Sequence, residues 1–360
     1  AVSNDEVWMT TRLAGAQTVF LPFNRGNDGH AGNGPDERGG SPTSYLWRDV
    51  WQRDAWLDVL GKFIHYETAT SKDPKTGVSR TSHTLIFPRF HQWDAVTRMV
   101  ADTRASGPGS RYLVQHSAGS GKTRTIAWTA HRLATLPDGH ARAGEKVFDT
   151  VIVVTDRTVL DDQLQDAVRQ IEAKAGVVAT INTREAGKAG FGAKSGYLAQ
   201  TLTSGKLIVV VTLQTFPFVL EAIKADAALA GRSFAVIADE AHSSQTGEAA
   251  SKLKAVLSDA EVAALADGGE IDVEAVLAAE ASAKADTRNI SFYAFTATPK
   301  TKTLELFGTP DPVTGLPRPF HLYTMQQAIE ERFILDVLAN YSTYATAYQL
   351  AMRVAGGEMR

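Results

Sequence analysis

The stretch "YLVQHSAGSGKTRTIAWTAHRL", residues 112–133, decides the fold. An apolar run enters a turn of small residues, Ser117-Ala118-Gly119-Ser120-Gly121. Lys122 and Thr123 then open a segment with helical apolar spacing. Small residues let backbone N–H groups approach an anion, and the positive end of the following helix adds to the attraction. In that setting Lys122 reaches the outer phosphates of a nucleotide and the Thr123 hydroxyl binds Mg²⁺. His116 stands five residues before Gly121, where such loops usually carry glycine.

Working outward, short runs rich in Val, Ile and Leu alternate with helical patterns. The runs are 111–115, 150–155, 207–212, 234–239 and 291–296, with helices expected at 121–135 and 158–174. Nearly continuous apolar runs are expected of strands buried on both faces. The alternation predicts an α/β domain, a mostly parallel sheet flanked by helices. Residues 252–287, rich in Ala, Glu and Asp, read as a solvated helical insertion between two strands.

Two further stretches fit the loop. "FAVIADEAHSS" is an apolar run ending in Asp239-Glu240-Ala241-His242. A phosphate-binding loop needs a carboxylate at a nearby strand end to hold Mg²⁺, the part given to Asp239. Glu240 is then placed to polarise a water for attack on the terminal phosphate, and His242 to sense that phosphate. An acidic pair at a strand end is otherwise a helix cap. "FYAFTATPK", 292–300, places Thr296 and Thr298 at the end of another buried run, where hydroxyls can couple two sites. Alone this is weak, because Thr is common in strands.

The 360 residues are 44% hydrophobic and carry a formal net charge of -3, so any nucleic-acid contact must be a local patch. There is no cysteine, which excludes disulfides and thiolate metal sites. Histidines 30, 65, 83, 91, 116, 131 and 140 are scattered without metal-ligand spacing, and no zinc site is assigned. With no apolar run of about 18 residues and no leader pattern, the expectation is a soluble, cytoplasmic protein without a membrane partner.

Upstream, 24–44 is a glycine-rich surface loop that reads as a flexible linker by composition. "YLWRDVWQRDAWLDVLGKFIHYE", with apolar residues at 46, 50, 56, 57, 60, 63 and 64, predicts one amphipathic helix whose Trp47, Trp51 and Trp56 pack it onto the main domain. "TSKDPKTGVSR" reads as a polar loop.

The loop, Asp-Glu-Ala-His and Thr-Ala-Thr occur in the order of a superfamily 2 helicase motor, which implies a RecA-like domain. "FPRFHQWDAV" resembles the glutamine motif of that group, with Gln92 near the adenine. "VVTDRTVLDDQLQ" resembles its first DNA-contact motif, with Thr155, Asp156 and Arg157. "VVVTLQTFPFVL" resembles its second, with Thr212 and Gln214. The wording is narrower still. "FLPFNRGNDGHAGNGPDERGGSPTSYLWRDVWQRDAWLDVLGKFIHYE", "LVQHSAGSGKTRTIAWTAHRL" and "FAVIADEAHSSQTGEAASKLKAVL" resemble the restriction subunits of Type I restriction–modification enzymes, over about residues 8–345.

That resemblance implies an ATP- and Mg²⁺-dependent motor on double-stranded DNA, joined in the full enzyme to a nuclease domain, a second motor domain, and specificity and modification (methyltransferase) subunits. Here 1–84 would be an approach segment, 85–330 the first motor domain and 331–360 the start of a connection. No convincing Asp…Glu-x-Lys nuclease core is found; Glu172-Ala173-Lys174 reads as solvated charge. The chain therefore reads as a piece of something longer. The alternatives are a superfamily 2 helicase or remodeler without a nuclease, and a nucleotide-binding scaffold that does not hydrolyse ATP.

Overall fold

The computed structural model describes residues 1–72, 77–139, 145–155, 158–171, 176–191, 194–212, 215–226, 228–229, 231–239 and 289–336. The expected strands are present within a residue of their predicted bounds: β5 (Arg111–His116), β6 (Thr150–Thr155), β8 (Ile208–Thr212), β9 (Phe234–Asp239) and β10 (Ile290–Thr296). Two shorter strands, β7 (Val178–Ile181) and β13 (His321–Tyr323), complete a seven-stranded sheet in the order β13-β5-β10-β9-β6-β8-β7. All of its pairings are parallel.

Alternate residues of each strand feed opposite faces. Val114, Val153, Ile237 and Phe295 pack toward α2 (Phe90–Ser106), α3 (Lys122–Ala134) and α4 (Thr158–Gln170). Leu113, Val154, Val236 and Phe292 face α6 (Lys194–Thr203), α7 (Phe216–Ala225) and α8 (Thr301–Phe307). A short α5 (Thr183–Lys188) precedes α6. This two-sided burial explains the unbroken apolar runs. Among the described residues, no helix is long and apolar enough to cross a membrane.

The N-terminal residues join the same core: Phe23, Tyr45, Val50, Val59 and Phe63 share a buried cluster with α2 and α3. Trp128 of α3 is fully buried and donates its indole N–H to the Phe63 carbonyl, 3.0 Å away. A short antiparallel pair, β1 (Trp8–Met9) and β2 (Leu21–Pro22), precedes them.

Three expectations for this region are corrected. The tryptophan-rich stretch is two pieces: a wide turn at Leu46–Val50, then α1 (Arg53–Lys62) after extended Gln52. The apolar steps lapse between 50 and 56, where Arg53 and Asp54 stand, so no single face runs through. Trp47 and Trp51 are 45% and 52% exposed; they do not pack this segment down. The "polar loop" contains strand ends: β3 (His65–Lys72) pairs antiparallel with β4 (Ser79–Ile86). Most of β4 is solvated on both faces, so the apolar alternation that marks a strand is missing.

The glycine-rich segment is tied down, contrary to a linker. It folds back on itself at Asn27 and His30. It then docks on the segment leading through β13 into α9 (Met325–Glu330). Glu330 accepts from the Ala31 N–H at 2.7 Å and meets His30 Nδ1 at 3.0 Å. Thr324 donates its hydroxyl to the Gly29 carbonyl. A further small antiparallel pair joins β11 (Thr309–Pro310) and β12 (Pro317–Arg318).

Candidate nucleotide site

In a parallel sheet, ligands bind beyond the carboxyl ends of the strands. Register places the sequence-predicted residues along that edge. Thr296 lies opposite Gln115, one residue before His116, and Asp239 lies opposite Phe295. Thr155 lies opposite Thr212. Strand β10 thus stands between the strand that carries the glycine-rich loop and the strand that ends in Asp239. Asp156, Arg157, Gln214, Glu240, His242, Glu172, Ala173, Lys174 and the 252–287 insertion lie outside the described residues.

The loop turns tightly: Ser120 N–H donates to the Ser117 carbonyl at 3.2 Å. Gly119 and Gly121 have φ of +73° and +85°, a region open to glycine and strained for other residues. Gly121 is the residue immediately before α3, whose first-turn N–H groups face the loop. Lys122 is buried and points back across its own loop, 3.3 Å from the His116 carbonyl and 3.4 Å from that of Ser117. The hydroxyls of Ser117 and Ser120 are buried without a hydrogen-bond partner among the described residues. Orphan hydroxyls in a cradle with a buried cation fit an incoming polyanion, because buried polar groups are normally satisfied. Thr123 is half-buried at the first turn of α3. Ala118 is exposed.

Gln92, in the first turn of α2, is buried and held at both ends. Its Oε1 accepts from the Arg89 N–H at 2.9 Å, and its Nε2 donates to the Gly121 carbonyl at 3.0 Å. Beside it opens a cavity of about 490 Å³ lined by Phe87, Arg89, Gln92, Arg124 and the N-terminal stretch around Thr10–Arg12. That is the size range of ordinary ligand pockets. Arg124 forms a two-pronged ion pair with Glu67 of β3 at 2.6 and 2.7 Å.

At the other strand ends, the Thr296 hydroxyl is buried and accepts from the Thr298 N–H at 3.3 Å, while Thr298 is exposed. The Thr212 hydroxyl lies 3.1 Å from that of Thr215, and Thr155 is buried.

Sequence spacing missed a second ring of residues behind the loop. His91 stacks on Tyr323, with ring centres 3.7 Å apart, and its Nε2 donates to the Ser120 carbonyl at 3.0 Å. His116 Nε2 meets His321 Nδ1 at 2.8 Å, and His321 Nε2 meets Asp94 at 3.2 Å. The Ser117 N–H donates to the Tyr323 carbonyl at 3.0 Å. Burial holds the His91 and His116 imidazoles well below the usual histidine range. His116 and His321, far apart in sequence, are brought together here by β13 pairing with β5. The one sequence signal was His116 in place of a glycine.

Residues 91–268 match the family model described as SWI2/SNF2 ATPase, just under half of the chain. No curated protein matches it. Among solved structures it is similar to the UvsW helicase from bacteriophage T4, at 14% identity over 71% of this chain and 66% of that one, with a TM-score of 0.38. It is also similar to a hypothetical ATP-dependent RNA helicase from Sulfolobus tokodaii, at 19% identity over 63% and 50%, TM-score 0.33. A third is the yeast DEAD-box splicing factor Prp28, at 14% identity over 57% and 40%, TM-score 0.27. The chain thus spans from two-fifths to just under two-thirds of those structures. The seven-stranded parallel sheet, with its glycine-rich loop and acidic strand end, is a RecA-like α/β fold, and over residues 91–268 the chain is similar to SWI2/SNF2 ATPases.

Proposed function

We propose that this chain is the first motor domain of an ATP-driven double-stranded DNA translocase of the Type I restriction kind. The observation that carries the nucleotide part is the buried Lys122 in a loop with two orphan hydroxyls, two strands from Asp239. Lys122 would leave the loop carbonyls for the phosphates, while Ser117, Gly119, Ser120 and Gly121 cradle them. Thr123 and Asp239 would hold Mg²⁺, which neutralises charge developing on the phosphates. Glu240 would orient the attacking water. Gln92 would face the base from the cavity beside it. Thr296 and Thr298 would couple this site to the DNA track of Thr155, Asp156, Arg157, Thr212 and Gln214, with His242 sensing the terminal phosphate.

Contacts along that track go to phosphates, so binding is sequence-independent and salt-sensitive. Recognition of a DNA sequence would belong to another subunit. Full turnover would need a second motor domain, because an arginine supplied from a partner is worth roughly 10³–10⁵ in rate.

The test is calorimetric titration with Mg-ATP beside Lys122→Ala, followed by ATP turnover with and without linear duplex DNA. Lysine-dependent binding with little DNA-stimulated turnover is expected. Unchanged affinity in a folded Lys122→Ala chain overturns the nucleotide reading. Glu240→Gln should keep binding and remove turnover wherever the complete motor turns over.

A further inference from the structure

Behind the phosphate loop runs a line of three side chains, Asp94 on α2, His321 on β13 and His116 at the end of β5, linked at 3.2 and 2.8 Å. Its two histidines are 205 residues apart in sequence, and both are buried. The outer end borders a cavity of about 450 Å³, shared with Arg25, Arg98 and Arg318. At the inner end, the backbone of His116 accepts from Lys122.

The chemistry of the line limits its states. Burial pushes the Asp94 carboxyl up, but the hydrogen bond and electrostatic attraction of His321, followed by those of Arg98, outweigh it and hold it below the usual range. An ionised carboxylate only accepts, so His321 must donate from Nε2. When His321 is neutral, its Nδ1 accepts and His116 donates from Nε2. His116 Nδ1 is then a bare acceptor, and it has no partner among the described residues. When His321 gains a proton, its Nδ1 becomes a donor. His116 Nε2 must then accept, and the His116 proton moves to Nδ1. A charge change at the cavity end therefore flips the tautomer of the residue that opens the phosphate loop.

We propose that Asp94 and His321 are positioning residues for nucleotide binding: through His116 they set the tautomer and electrostatic state of the phosphate loop, so that protonation of His321 favours phosphate binding. This rests on the nucleotide reading above. The charged and titratable groups facing the line are His91 and Arg98 from α2, Lys122 from α3, Tyr323 from β13, and Arg25 and Arg318 across the cavity. His91 donates to the Ser120 carbonyl from Nε2, which ties it to the loop. Arg98 is shared with Asp94.

The experiment compares Mg-ATP affinity of the wild-type chain and Asp94→Asn at pH 6 and pH 8. Asn keeps an acceptor for His321 and loses the charge that stabilises its cationic form. The wild-type-to-variant ratio cancels the titration of the nucleotide itself. The expected result is a loss of about tenfold at pH 6, the scale of one charge-assisted hydrogen bond, and little change at pH 8. Equal loss at both pH values marks a merely structural role and overturns the proposal, as does no loss at either.

Should Asp94→Asn not fold, His116→Gln stands in. Its amide can still donate to His321 but passes no proton, so its affinity relative to the wild type should fall at pH 6 only. An equal fall at both pH values, or none, is the contrary result. Nitrogen-labelled histidine spectra give an independent readout. At pH 8 His116 and His321 should both be Nε2–H, and on acidification His116 should turn to Nδ1–H. A His116 that stays Nε2–H throughout overturns the relay. A wild-type chain with no Lys122-dependent Mg-ATP binding overturns the nucleotide reading, and the proposal with it.

Discussion

Gln92 Nε2 donates to the Gly121 carbonyl at 3.0 Å, and a β-carbon on Gly121 would stand 2.7 Å from that same nitrogen. The side chain expected to face a base is thus also the clamp that holds the loop. Gly121→Ala combines a positive φ with a displaced amide, and should destabilise the fold by about 2 kcal/mol. It should also abolish Mg-ATP binding. Thermal melts and calorimetry check both; full affinity in the variant would separate Gln92 from the loop.

Gly119 makes a comparable contact with a different segment. A β-carbon there would lie 2.5 Å from Ile334 Cγ2. Gly119→Ala should therefore destabilise the chain, and Ile334→Ala should recover the steric part and leave the strain of φ +73°. A double-mutant cycle in urea should return a coupling of about 1 kcal/mol. Strict additivity would show that the two residues do not meet.

The Glu67–Arg124 pair gives a pH dependence of known sign. The hydrogen bond and charge of Arg124, helped by His65, lower the Glu67 carboxyl from 4.5 to about 2. A depressed carboxylate stabilises above its unfolded value and loses that contribution as pH falls through the folded one. Wild type should exceed Glu67→Gln in stability above pH 4.5, and the gap should close between pH 4.5 and about 2. The side chains are 22% and 40% exposed, which limits the effect to about 1 kcal/mol. Melts at pH 3 and pH 7 decide it; a gap that widened in acid would reverse the assignment.

Glu330 holds the glycine-rich segment at its tip, through Ala31 and His30. Glu330→Ala should speed protease cleavage within residues 26–40 and leave the melting temperature nearly unchanged, because exposed loop tips are where nicking concentrates. Unaltered cleavage would place the tether elsewhere, at Thr324 and Gly29.

The residues that were legible in sequence share one physical property. β6, β8 and β10 are buried on both faces, so their apolar runs are continuous and stand out. Gly119 and Gly121 were legible because their backbone geometry requires glycine. The β3–β4 strand pair was not, since most of its side chains face water and leave no periodic mark. β13 has three residues, too few for any pattern. His321 and Tyr323 became visible only through strand pairing, which local spacing does not encode.

The tether between the glycine-rich segment and α9 has a consequence for how the chain is made. His30 and Glu330 are 300 positions apart. Contacts that distant form only after the intervening chain has condensed. During synthesis at about 5–20 residues per second, the N-terminal segment waits for roughly 15–60 seconds before its partner leaves the ribosome. Its polar, glycine-rich composition suits that interval: it offers a nascent chain little to aggregate with, and it docks as one of the last steps of assembly.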